Sequence, residues 1–232
     1  MPLVEHGAEV TLVTLVYRSL KWLDFVMEGV EASKNETRYR WLVVANDATE
    51  EVARDPRVGL DFRNDDPGEF YINRVYRAWN EGFINAPTQL VVNLSNDMYV
   101  TDYWLDEMVS LKRRDPKTIP CGLLVESGRL LSAMPEYAKN FGMHPGDFRT
   151  KDFVAHAETL RERGKEEPGR LFGPTLFDRQ EWMDFGMYPE GNPGGISGDR
   201  FLYRKYQEAG YRWVSCRGAI VAHLQHGEQE WP

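Results

Sequence analysis

The chain has 232 residues, 42% hydrophobic and 28% charged, with 20 Gly and 13 Pro, which excludes a disordered tail or a collagen-like repeat and sets the expectation of one globular domain, with or without an appendage. The formal net charge of −8 argues against nucleic acid or an anionic membrane as partner. Two cysteines, Cys121 and Cys216, lie far apart with no metal-finger spacing, no apolar run reaches the roughly 20 residues of a bilayer span, and no signal-peptide pattern opens the chain, so a soluble protein of the reducing cytoplasm is expected.

In chain order, residues 9–17 are short, β-branched and apolar nearly throughout, the pattern of a strand covered on both faces. Ser19 is placed to cap a helix with Trp22, Phe25, Val26, Gly29 and Val30 on its buried stripe, and 40–45 resumes the strand pattern. Asp66-Pro67-Gly68-Glu69 combines a capping carboxylate, a first-turn proline and a Glu three residues on, so a helix carrying Ile72, Val75, Tyr76, Trp79 and Phe83 is expected to begin there. A buried strand over 90–94 follows. Thr101-Asp102 then caps a helix carrying Trp104, Leu105, Met108 and Leu111. This β-α-β-α-β-α order predicts an α/β fold, an open sheet flanked by helices.

After a further strand at 121–125, residues 135–170 are polar, charged and punctuated by Gly and Pro apart from one helix over 152–163, and this stretch reads as an inserted lid or acceptor-side segment with few apolar anchors. The chain returns through 171–179 and a Gly-rich loop over 191–197 to a helix over 198–209 closed by Gly210. Two strands, 211–216 and 219–222, precede a polar tail with His223 and His226.

In open α/β sheets, ligands bind beyond the carboxyl ends of the strands, so polar residues following buried strands are the informative ones. Asn46-Asp47, Ser95-Asn96-Asp97 and His223 qualify. Asp97 is suited to hold a divalent cation bridging phosphates, or else to satisfy backbone N–H groups in its turn. His223 could complete that site, or serve as a core hydrogen-bonder. Asp199 stands in the first turn of a helix after a Gly-rich loop, where the helix dipole favours the ionised carboxylate a general base requires; the plain alternative is an ordinary first-turn acid. The loop lacks the Lys-Ser/Thr ending of a P-loop.

Together these residues resemble a GT-A glycosyltransferase of the family 2 type, over about residues 10–106 and 173–227. The opening strand through Tyr17, Val43-Val-Ala-Asn-Asp-Ala-Thr49, Asn80-Glu-Gly-Phe-Ile-Asn-Ala86, Val92-Asn-Leu-Ser-Asn-Asp97 and Gly198-Asp199-Arg-Phe-Leu carry the likeness in order. Two positions depart from the family pattern: Ser95 stands at the first acidic position of the DXD-type motif, and Gly198 where an acid usually precedes the base.

The resemblance implies one GT-A catalytic domain over 1–232 with a Rossmann-like sheet: a nucleotide-sugar-binding half over 1–115, the segment 135–170, and an acceptor and base half over 171–232. It implies Asp199 as catalytic base; were Asp199 only a first-turn dipole partner, Glu190 and Asp178 would be the next candidates. Tyr17, Asn46, Asp47, Asn80 and Asn96 would contact a UDP-, GDP- or TDP-linked sugar. Asp97 and His223 would hold Mn²⁺ or Mg²⁺, and Gly195, Ser197 and Trp182 would face the acceptor. Inverting transfer to an acceptor hydroxyl is the expected reaction. A noncatalytic nucleotide-sugar or glycan-binding module is the second reading, favoured by Ser95 and Gly198. A sugar nucleotidyltransferase is disfavoured, because Tyr17-Arg18-Ser19 stands where a Gly-rich basic loop would be.

Overall fold

The computed structural model describes residues 7–64, 70–127, 135–169, 173–189 and 196–225. Asp66 to Glu69, Glu190, the loop containing Gly195, and His226 lie outside the described residues.

The apolar run Val10–Val16 forms β1, buried on both faces as its composition requires. β2 (Tyr39–Asn46) and β4 (Leu90–Asn93) flank it in parallel, and β3 (Val58–Phe62) extends β2. Beyond β4 the sheet becomes mixed. With β5 (Met98–Val100), β6 (Thr118–Glu126), β7 (Glu166–Pro168), β8 (Thr175–Asp178) and β9 (Arg212–His223), the nine strands among the described residues run in the order β3-β2-β1-β4-β8-β6-β9-β5, with β7 paired to β9. β8 is antiparallel to β4 and β6, β9 is parallel to β6, and β5 is antiparallel to β9. These directions bring the carboxyl ends of β1, β2, β4, β6 and β9 to one edge, together with the starts of β5 and β8. The candidate residues at strand ends therefore share that edge.

One face is covered by α1 (Leu20–Ala32) and α4 (Trp104–Arg114), whose Leu23, Val26, Trp104, Leu105 and Met108 pack on Leu12, Val43 and Val92. The other carries α3 (Tyr71–Ile84), α6 (Arg179–Asp184) and α7 (Gly198–Glu208), which bury Phe83, Trp182 and Tyr206 against Val13, Val44 and Phe177. α2 (Glu50–Ala53) is a single turn capped by Thr49, whose Oγ1 accepts from Val52 N at 3.4 Å. Among the described residues no helix is long and apolar enough to cross a membrane.

Several expectations are corrected. Thr101 and Asp102 do not cap α4: the Thr101 hydroxyl donates to Ile220 O at 2.8 Å, Asp102 accepts from Lys34 N at 2.9 Å, and Tyr103, at φ 64°, stands at the N-cap. Ser19 precedes α1 without a side-chain capping bond. The two expected C-terminal strands are one, β9, whose ladder with β6 shifts register between Gly122 and Leu123.

The segment 135–169 is well anchored. A turn of 3-10 helix (Pro135–Tyr137) and α5 (Thr150–Leu160) bury Tyr137, Phe141, Phe153 and Ala157 with Trp22, Phe25, Tyr99 and Leu123 in a third cluster. Aromatic spacing hid this: Phe141, Phe148 and Phe153 stand singly among charged residues, yet their rings meet at 5.6 Å in the pairs Phe141–Phe153 and Phe148–Phe153.

Candidate active site

The turn between β4 and β5 is fixed from beneath by β1. Val13 O accepts from Leu94 N at 2.9 Å and the buried Thr14 hydroxyl donates to Leu94 O at 2.8 Å, while Met98 N closes the turn on Ser95 O at 3.2 Å. Asp97, buried at the end of that turn, also accepts Leu224 N on its carbonyl at 3.0 Å, which ties it to the end of β9. The register then sets Met98 opposite His223 on one side and Glu126 opposite His223 on the other.

His223 consequently lies between two carboxylates, its Nε2 3.3 Å from Asp97 Oδ2 and its Nδ1 2.5 Å from Glu126 Oε1. Burial works to lower the imidazole's pKa, but the charges and hydrogen bonds of Asp97 and Glu126 outweigh it and push it up to about 10. A carboxylate on one ring nitrogen fixes the orientation of the other, the arrangement that supports metal-binding histidines. Among the described residues no group of three His, Cys, Asp or Glu is arranged to hold a metal ion. The candidate donors at this edge are thus the Asp97 carboxylate and the His223 imidazole, and a divalent cation would have to displace the proton held between Nε2 and Asp97 before the imidazole could ligate it.

Asp199 is approached from α3. The Tyr76 hydroxyl donates to its Oδ2 at 2.7 Å and accepts from its backbone N at 3.4 Å. Burial pushes the Asp199 carboxyl up to about 6, with the Tyr76 bond pulling the other way. Burial, with the adjacent Asp199 charge, holds the Tyr76 phenol well above its ordinary value, so it remains a donor. The ring of Tyr76 stacks on Tyr188 at 4.9 Å and 15°, and the Tyr188 hydroxyl accepts from Asn93 Nδ2 at 3.2 Å, at the carboxyl end of β4. Asn93 and the stacked tyrosines thus link Asp199 to the strand end that leads into Asp97.

At the end of β2, Asp47 adopts φ 48°. Its carboxylate accepts from Asn64 N and Asn64 Nδ2, both at 2.8 Å, and from Arg74 Nη1 at 3.2 Å. Around it Asn46 Oδ1, Asn64 Oδ1 and Arg74 Nε are buried without a hydrogen-bond partner among the described residues, a concentration of polar groups that a ligand or ordered water would satisfy. Asn64 and Arg74 escaped the sequence reading because neither follows a buried strand within a residue or two.

The remaining expected site residues divide. Asn80 is not open to a nucleotide: its Nδ2 donates to Tyr188 O at 2.9 Å and its Oδ1 accepts from Tyr188 N at 3.1 Å, a two-point clamp on that backbone. Trp182 is fully buried, 4.7 Å from the Phe83 ring, and forms core rather than an acceptor platform. Ser197 is the exposed N-cap of α7, its Oγ accepting from Arg200 N at 3.4 Å. Asp178 caps α6 at the end of the antiparallel β8, away from this edge, where it accepts from Gln180 N and Gln89 Nε2. Tyr17 follows β1, its ring under the Arg18 guanidinium at 4.4 Å, and Asn96 is half-buried in the β4–β5 turn. Glu126 was missed although it ends an apolar strand by the same rule that singled out Asp97.

The open mixed sheet flanked by helices is similar in fold to a GT-A glycosyltransferase. A solved structure of GalNAc-T7 with UDP, GalNAc and Mn²⁺ matches 97% of this chain with a TM-score of 0.61 at 14% identity, and the chain spans 45% of that protein's chain. No protein-family model and no curated protein matches the sequence.

Proposed function

We propose that the chain is a metal-dependent glycosyltransferase that moves a sugar from a nucleotide diphosphate to an acceptor hydroxyl. The observation that carries this reading is the meeting of Asp97, Glu126 and His223 at the same sheet edge that leads, through Asn93 and the tyrosine stack, to Asp199. The GT-A fold supports it, as does a neighbour solved with UDP and Mn²⁺.

In this reading Asp97 and His223 hold Mn²⁺ or Mg²⁺, with Glu126 orienting the imidazole. A divalent cation there supplies positive charge to the departing diphosphate. Asn46 and Asp47, braced by Asn64 and Arg74, meet the nucleoside; Tyr17 and Asn96 stand beside the donor between them. Asp199 accepts the proton of the acceptor hydroxyl as its oxygen bonds to the anomeric carbon. One displacement assisted by one base inverts that carbon, so NMR of the first-formed product should show the opposite anomer from the donor. The two cysteines are buried and form no disulfide among the described residues, which suits a reducing setting, and we place the activity in the cytoplasm.

Calorimetry of UDP, GDP and TDP with and without Mn²⁺, followed by turnover of the corresponding sugar donors, tests the reading. Tighter binding with Mn²⁺ that Asp97→Ala abolishes is expected; equal binding in Mn²⁺ and EDTA for both proteins would remove Asp97 and the cation from the scheme. A noncatalytic nucleotide-sugar or glycan-binding module is the second reading, since Gly198 replaces an acid and one Asp199 oxygen is already engaged by Tyr76. Metal-dependent binding without turnover of any donor selects it.

A further inference from the structure

We propose that Tyr76 is the positioning residue of Asp199, its hydroxyl occupying Oδ2 so that Oδ1 is the oxygen left to receive the acceptor's proton. The inference rests on the reading of Asp199 as the base, and its structural argument begins at Gly198. A Cβ at Gly198 would lie 2.5 Å from Tyr76 Cε2 and 2.9 Å from Cδ2. The tyrosine ring fills the place that a side chain at the start of α7 would take, so glycine is the residue that lets Tyr76 reach residue 199. The departure from the family pattern at Gly198 thereby acquires a physical cause.

The hydroxyl meets residue 199 twice, accepting from its N–H and donating to its carboxylate, which fixes the side chain against the first turn of the helix. The ring is fixed in turn: it stacks on Tyr188, whose backbone is clamped by Asn80 through both its N–H and its carbonyl and whose hydroxyl is held by Asn93. Two residues of α3, four positions apart on one helical face, therefore serve one carboxylate: Tyr76 directly and Asn80 through Tyr188. Among the described residues the titratable groups facing Asp199 are Tyr76 from α3 and Tyr188 from the segment after α6. Burial holds both phenols above their ordinary values, so neither changes charge where the carboxyl does.

Tyr76→Phe keeps the stacked ring and deletes the bond. The titration of Asp199, followed by carbon NMR of aspartate-labelled protein and assigned with Asp199→Asn, should move up by about one pH unit, because the lost bond favours the ionised form. In turnover, the acidic limb of the kcat/KM profile should move by the same interval with KM for the donor unchanged. Tyr203→Phe, on α7 with its hydroxyl accepting from Gln207 Nε2 at 2.8 Å and away from Asp199, should leave both where they were. Should Tyr76→Phe fail to fold, Gly198→Ala displaces the same ring and should shift the same resonance. An unmoved Asp199 midpoint in the folded variant overturns the assignment. Absence of turnover with every donor would sink the glycosyltransferase reading instead, while the NMR titration still decides whether Tyr76 governs Asp199.

Discussion

Asp199 is held in a protonation equilibrium near neutrality by burial, and this has a cost that can be measured. The carboxyl's ordinary value is 3.8 and its folded value is about 6, so the folded state binds the proton more tightly. The stability associated with the protonated form is complete below about pH 4 and is lost as pH rises through 6. Asp199→Asn should therefore unfold at a higher temperature than the native chain at pH 8 by calorimetry, while kcat falls by about 10² to 10⁴ and donor affinity stays nearly constant. A lower unfolding temperature with normal turnover would make Asp199 a helix partner only. At the other end of the site Glu126→Ala leaves both proposed ligands in place but releases the imidazole, and Mn²⁺ affinity by calorimetry should drop by about 10- to 100-fold. The positions of Asp97 and His223 at strand ends and of Asp199 at a helix start were legible in the sequence because such places carry unpaired backbone groups; the roles proposed for them await the tests above. Tyr76 was read as a core tyrosine, which its ring is; its hydroxyl's partner lies across the fold, and no local spacing announces it. Asn80 shows the converse, since a side-chain amide matched to the backbone of Tyr188 looks in sequence like an open polar residue.

At the scale of elements, the helices with a continuous apolar stripe, α1, α3 and α4, were readable, as were the long buried strands. β5 and β7 were not. Each is three residues long, and each is a strand only because β9 supplies its hydrogen bonds. β9 itself was divided in the sequence by Arg217-Gly218, where the chain bulges and continues; a Cβ at Gly218 would fall 2.6 Å from the Glu107 carboxyl carbon, so the bend lies tight against α4. The segment 135–169, read as a lid or acceptor-side segment with few apolar anchors, has more anchors than its sequence suggested. Phe153 is fully buried between Phe141, Phe148 and Tyr99, and Phe153→Ala should cost about 3–5 kcal/mol in denaturant unfolding. Amide exchange across α5 in the ligand-free protein should be slow; exchange as fast as in an unfolded peptide would restore the lid.

For the molecule as a whole, the alternation of strands and helices predicted an open α/β sheet, while the antiparallel insertion of β8 between β4 and β6 was invisible, because a four-residue strand carries no record of its direction. Binding should report on the whole fold. A nucleotide diphosphate with Mn²⁺ at about 100 times its Kd would stabilise the chain by about 2.7 kcal/mol. For a domain of this size that corresponds to about 5–10 °C in Tm, and the gain should vanish in EDTA and in Asp97→Ala.

The place of β9 in the sheet has a consequence for how the protein is made. β1, β2 and β4 come early in the chain, and β2 and β4 each pair with β1, so this part of the sheet can form while synthesis is under way. β5 emerges soon after β4, yet its ladder partner arrives only after four further helices have been translated. Until then Asp97 lies beside an unpaired strand with no imidazole opposite it. The nascent chain can thus acquire much of its scaffold long before the proposed site is complete, and the insertion of one late strand between β6 and β5 brings His223 to Asp97 and Glu126.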